Sequence, residues 1–435
     1  MTKPILVAVF VACGILGAKD RADASVQRVC VRYLIQTNDS ALASESPRED
    51  HFLNGDVGIV VPAYGAYINV SINGQPVTGN VKTEPSTGCK TFWSPVDGTF
   101  IVRVYARSED KKGNNVRIHN AGPSSFSSYP GQTYSLVTAY SSPSSSTRYI
   151  TVGSAAPRWT MMATASFVLK QFNDGNSDKT IHIAEDTTSS CSNSSWFGAS
   201  NDFLDEDRAY IRVRANSGSC TSESRPTKFL VAHEMGHALL RLQAGNKEGP
   251  WSATFPYSQM AGSVGLCTND SGYHQWSVEW GSVGFKEGSA DFVSARVFNN
   301  RASSGRYIRS GRETDLERAP VHAAGGRLVN TCNVDSTNNW GLGIREDWLR
   351  FWWDWYTDNT CSPTGSKRKM MDIFATTVND HQDGTNTYFD HTAYGAVRDA
   401  ADAQGFESCL EDRFRFYACF NGIDRQAGYA DSSCY

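Results

Sequence analysis

This chain has little excess charge of either sign, with 41 basic against 45 acidic residues and a formal net charge of −4 over 435 residues. No basic surface able to follow a phosphate backbone is implied, so nucleic acid is not expected as a partner. The single basic run, Lys367-Arg368-Lys369, reads as a solvated surface. Long apolar runs are also lacking: the only one extends from Ile5 to Gly17, too short to span a bilayer. No close Cys-x-x-Cys pair occurs, which argues against a structural zinc cluster built from thiolates. No internal repeat is evident. Histidine is scarce at nine residues, so a patterned pair of them carries weight.

The short apolar run has the form of an export signal: Lys3 precedes it, and Ala22-Asp23-Ala24 follows as an Ala-x-Ala cleavage site. Residues 1–24 are thus expected to be a signal peptide, with the mature chain starting near Ser25, secreted or periplasmic and without a transmembrane segment. Cys13 lies within the run, but Phe10 suits a lipid-attachment signal poorly, which favours soluble export. Removing the signal leaves ten cysteines, an even number that fits an oxidising compartment and up to five disulfides. Cys30 with Cys89 is favoured as the only pair in the first part of the chain, and a Cys191–Cys220 bridge would pin a loop beside the site proposed below.

Two periodicities divide the mature chain. From 25 to about 150, short β-rich runs such as Val57–Val61, Tyr67–Val70 and Phe100–Tyr105 alternate with Gly, Asn and Pro turns, which predicts a small β-sandwich. Its role is either a spacer or a docking module. The Ser/Pro-rich stretch 141–146 marks a linker, and residues 151–435 form the second domain. There Trp159–Phe172 reads as a helix, while Thr180–Ala184 and Ala209–Arg214 read as strands. Tyr210–Arg214 is the candidate for a sheet edge able to pair with an extended substrate, an internal strand being the alternative. Trp348, Phe351, Trp352 and Trp355 recur at helical spacing, a pattern that indicates core more than a sugar-binding platform. The C-terminal part, with five cysteines from Cys361 onward, reads as helical and disulfide-braced.

The chemistry concentrates at His233-Glu234-Met235-Gly236-His237. On a helix, positions i and i+4 share a face, so both imidazoles can reach one metal ion. Glu234, beside the first ligand, stands where a general base would take a proton from an activated water. Apolar neighbours (Phe229, Leu230, Val231, Leu239, Leu240, Leu242), Pro226 and Gly245 frame a buried helix. Gly236 is costly in a helix interior and suggests a close neighbour. A catalytic zinc site needs a third protein ligand. The metzincin positions hold Leu240 and Gln243, which excludes that branch. Downstream, Glu287 and Asp291 stand four residues apart within Phe285–Ala295 and supply a ligand and a supporting carboxylate on one helix face. For Glu287 alone, the plainer alternative is a solvated helix carboxylate.

With these residues the chain resembles the gluzincins, zinc metallopeptidases whose third ligand is a glutamate on a second helix, over residues 226–298. Glu287 followed by Asp291 is similar to thermolysin-like members, whereas Glu287-Gly288-x-Ala290 looks more like collagenase-like or aminopeptidase-like ones. The spacing from His237 to Glu287 is longer than in thermolysin, so no subfamily is assigned. The resemblance implies an α+β, zincin-like metallopeptidase domain with one catalytic Zn2+ on His233, His237 and Glu287. It also implies Glu234 as general base, Asp291 as the hydrogen-bond partner of a histidine ligand, and a peptide or protein substrate. An oxyanion donor is expected from among Tyr273, His274, His391 and Tyr394, each of which also has an ordinary structural reading. A zinc hydrolase of another amide, such as cell-wall material, and an inactive binding module remain the alternatives.

Overall fold

The computed structural model describes residues 25–35, 59–94, 99–119, 131–137, 147–152, 157–172, 178–186, 196–197, 208–214, 228–244, 278–299, 305–309, 312–316, 342–358, 360, 370, 372–377, 392–403 and 408–423. The signal-like segment, the 141–146 stretch and Cys191, Cys220, Cys267, Cys332, Cys361 and Cys434 lie outside them. The architecture is mixed α and β, with sheets and helices largely segregated, which makes it α+β.

Strand alternation builds the first sheet. Its spine is β1 (Ser25–Ile35), flanked on one side by β10 (Thr147–Val152) in parallel. On its other side it pairs antiparallel with β2 (Ile59–Pro62) and β6 (Cys89–Ser94), placed end to end. Val29, Val31 and Tyr33 point into the core, and the opposite face carries the alternate residues. Cys30 and Cys89 stand directly opposite in the ladder and are disulfide-bonded.

The second sheet has nine strands. Its centre is β7 (Thr99–Glu109), whose Phe100, Val102, Val104 and Ala106 alternate inward. On one side of β7 lies β3 (Ala66–Ile72), which pairs in turn with β4 (Gln75–Pro76) and β5 (Val81–Lys82). Asn73 (φ 49°) and Gly74 (φ 79°) form the two-residue β3–β4 turn, where both central residues need the left-handed region. On the other side lie β8 (Asn115–His119) and β9 (Gly131–Val137). Strand β8 then pairs in parallel with β11 (Thr180–Asp186), β11 with β13 (Arg208–Arg214), and β13 antiparallel with the two-residue β12 (Trp196–Phe197). This ladder runs across residue 150, so strands from both sides of that position belong to one sheet. Tyr210–Arg214 is therefore internal, between β11 and β12, and not an edge. Its alternating pattern is shared by edge and next-to-edge strands, which periodicity alone does not separate.

Helix α1 (Pro157–Gln171) packs against β1, β7, β8 and the motif helix. Its Trp159 stacks on Tyr33 with ring centroids 5.9 Å apart, and its Phe167 stacks on Phe298 at 6.0 Å. Beyond it, α2 (Lys228–Gln243), α3 (Gly281–Phe298) and α4 (Arg345–Thr357) pack successively, α2 on α3 and α3 on α4. Glycines set both spacings. A Cβ on Gly236 would stand 2.9 Å from the Ala290 carbonyl oxygen, and one on Gly288 would stand 2.4 Å from Trp348 Cβ. The α4 aromatics Trp348, Phe351, Trp352 and Trp355 are buried core. Two short ribbons, β14 (Val278–Trp280) with β17 (Leu342–Ile344) and β15 (Arg306–Arg309) with β16 (Arg312–Asp315), flank these helices. Toward the C-terminus, α5 (Thr392–Ala403) packs on α3 and α6 (Ser408–Phe420) on α4; Cys409 and Cys419, about 15 Å apart along α6, are each engaged in a separate disulfide.

Candidate metal centre

The i, i+4 spacing on α2 brings the two motif imidazoles together, Nε2 to Nε2 at 3.1 Å with ring planes nearly perpendicular. Because Gly236 lets α3 come close, Glu287 reaches the same point. Its Oε2 lies 3.3 Å from His233 Nε2, and its Oε1 lies 3.3 Å from His237 Nε2. Three ligands on a tetrahedral ion at about 2.0–2.1 Å would stand roughly 3.3 Å from one another. The observed separations of 3.1, 3.3 and 3.3 Å fit that demand, and the three residues form a group able to hold a metal ion. The side chains of His233 and Glu287 are 2% and 7% exposed against 15% for His237, so the centre opens on the His237 side.

Asp291, one turn after Glu287, lies with Oδ1 2.8 Å from His233 Nδ1. This contact turns Nε2 toward the centre and fixes the tautomer that leaves its lone pair free. Asp291 is held in turn by two residues that spacing did not single out. The Tyr307 hydroxyl, from β15, donates to Oδ1, and Arg345, the first residue of α4, donates from Nε and Nη2 to the two carboxylate oxygens. Arg345 also places Nη1 3.1 Å from Glu287 Oε2. It is 1% exposed, a buried cation shared by two buried carboxylates. The sequence carried one weak sign of it, a charged cluster (Arg345, Glu346, Asp347) opening an otherwise aromatic helix. Tyr307 carried none.

The electrostatics follow from these contacts. Burial pushes both carboxyls up, but His237 and Arg345 outweigh it at Glu287 and hold it well below its ordinary range. Arg345 and then His233 do the same at Asp291. His233 is lowered by burial and by Arg345, yet Asp291 and Glu287 reverse the balance and raise it. Tyr307 is raised well above its usual value by burial and then by Asp291, so it remains a donor. Glu234 is 3% exposed, and burial first, then Glu287 and Asp291, lift its pKa to about 7.

The structure thus brings together His233, Glu234, His237, Glu287 and Asp291. Tyr273, His274 and His391 lie outside the described residues. Tyr394 falls on α5, with its side chain outside the described ones. No protein-family model matches the chain, and a search of curated proteins finds no match.

Proposed function

We propose that this chain is an exported zinc-dependent peptidase of gluzincin type, hydrolysing peptide bonds. The observation that carries the reading is the convergence of His233 Nε2, His237 Nε2 and the Glu287 carboxylate at 3.1–3.3 Å, with Glu234 adjoining. Two imidazoles and one carboxylate with a remaining open position suit a catalytic zinc ion. When bound, that ion would supply Lewis acidity to the attacking water and the scissile carbonyl. Glu234 takes the proton from the water and delivers it to the departing amine nitrogen. Asp291 keeps His233 in its ligand tautomer, and Arg345 and Tyr307 keep Asp291 in place. Export is supported by the signal-like N-terminus and by disulfide bonding at Cys30, Cys89, Cys409 and Cys419.

The test is metal analysis of the purified mature protein together with digestion of a denatured proteome, with and without chelator, read by mass spectrometry. About one zinc per chain and chelator-sensitive new termini are expected. Absence of zinc after supplementation would remove the metal assignment, and zinc without cleavage of any peptide would remove the peptidase one.

A further inference from the structure

Among the described residues, the outer face of the first sheet is unlike the rest of the surface. Of the five exposed large apolar residues among those described, three lie on it: Trp93 is 67% exposed, Tyr149 54% and Val60 41%. Ladder register places their neighbours. Trp93 stands opposite Val26 and Tyr149 opposite Cys30, while the Arg28 row carries Thr91 and the Arg32 row carries Thr151. All these alternate with the inward Val29, Val31 and Tyr33, so they share one face. Among the described residues this face holds two arginines and no aspartate or glutamate.

The chemistry of the face is specific. Arg32 lies flat on Tyr149, Cζ 3.6 Å from the ring centroid, which fixes its guanidinium fork and leaves fewer rotamers to lose on binding. Arg28 keeps a buried Nε without a hydrogen-bond partner. Trp93 offers an uncovered indole, an apolar plane with a polar edge suited to a partner that is apolar on one side and wet on the other. A sugar ring has that character, its C–H face apolar and its rim hydroxylated, and Thr91 and Thr151 stand beside the rings to bond hydroxyls. Trp93 and Tyr149 are four residues apart along β1 and on opposite sides of it, about 16 Å at the backbone. That length matches a stretch of chain polymer more than a single sugar. The uncompensated arginines select an anionic one, since planar guanidinium groups pair with carboxylate or sulfate.

We propose that this face docks the protein on an acidic polysaccharide, through stacking at Trp93 and Tyr149 and ion pairing at Arg28 and Arg32. It is independent of the metal centre and would stand if the peptidase reading failed.

The test is affinity electrophoresis of the purified full chain in gels containing polygalacturonate, heparin or a neutral glucan, alongside cosedimentation with phosphatidylglycerol vesicles. Retardation by at least one of the two anionic glycans, weakened by salt and absent with the neutral glucan, is the expected result. Trp93→Ala and Arg32→Gln should each weaken it at least tenfold with unchanged melting temperatures. Phe416→Ala, an exposed aromatic on α6, should leave it intact. No retardation by either anionic glycan, undiminished retardation in either face variant, or binding to vesicles alone would overturn the proposal.

Discussion

At the scale of single residues, the proposed chemistry divides labour between groups that hold the ion and one that moves a proton. Glu234→Gln keeps the shape of the side chain but cannot accept a proton. It should retain zinc and lose turnover by about 100-fold or more, read as metal content against peptide hydrolysis. Glu287→Ala removes a charged ligand and should weaken zinc binding severely. Asp291→Ala leaves three ligands and should lower affinity or activity by roughly 10–100-fold. The order of severity, measured by competition with a chromophoric chelator, is the check. Zinc held as tightly by Glu287→Ala as by the parent would remove Glu287 from the ligand set. The spacing of His233, His237, Glu287 and Asp291 was legible because each pair lies one helical turn apart. Arg345 and Tyr307 were not, because they meet Asp291 across 54 and 16 residues through tertiary packing, which leaves no periodic trace.

At the scale of elements, the centre depends on how closely α2 and α3 approach. Gly236 permits it: a Cβ there would stand 2.9 Å from the Ala290 carbonyl oxygen and 3.1 Å from Val293 Cβ. Alanine would gain about 1 kcal/mol of helix propensity but must push a backbone away. Gly236→Ala should therefore lower stability by about 1–3 kcal/mol in denaturant titrations, and it should loosen metal binding as Glu287 moves off. Alanine that stabilised the protein would mean that the helices can separate freely. The glycine itself was a readable sign of a close neighbour, and the strands and helices around it follow from alternation and helical spacing. The position of β13 inside the sheet did not, since β12 is only two residues long and leaves no alternating run to detect.

At the scale of the whole molecule, the nine-stranded sheet is joined at β8–β11, and a histidine pair sits at that joint. His119 Nε2 lies 3.1 Å from His182 Nδ1, one nitrogen donating and the other accepting. Burial first, then the charges of His119, Arg117 and Arg208, lower the His182 pKa to about 3. The unfolded chain protonates this imidazole near pH 6.5, whereas the folded one resists until about pH 3. Its contribution is thus complete above pH 6.5 and is lost as pH falls from there toward about 3, on the order of a few kcal/mol. Denaturation midpoints between pH 7 and 4, taken in chelator so that metal release does not contribute, should fall less steeply in His182→Gln than in the parent. Equal slopes would remove His182 as a source of acid sensitivity. Helix α4 has a consequence of another kind. Trp348 lies against Gly288, and the Trp352 indole donates to Ser289 Oγ at 3.0 Å, both on the helix that carries Glu287 and Asp291. These buried indoles should emit at short wavelength, while Trp93, exposed on the first sheet, should emit at long wavelength. The protein therefore carries its own optical reporters at two colours. Metal loading should alter the blue side of its intrinsic fluorescence, and occupation of the sheet face should alter the red.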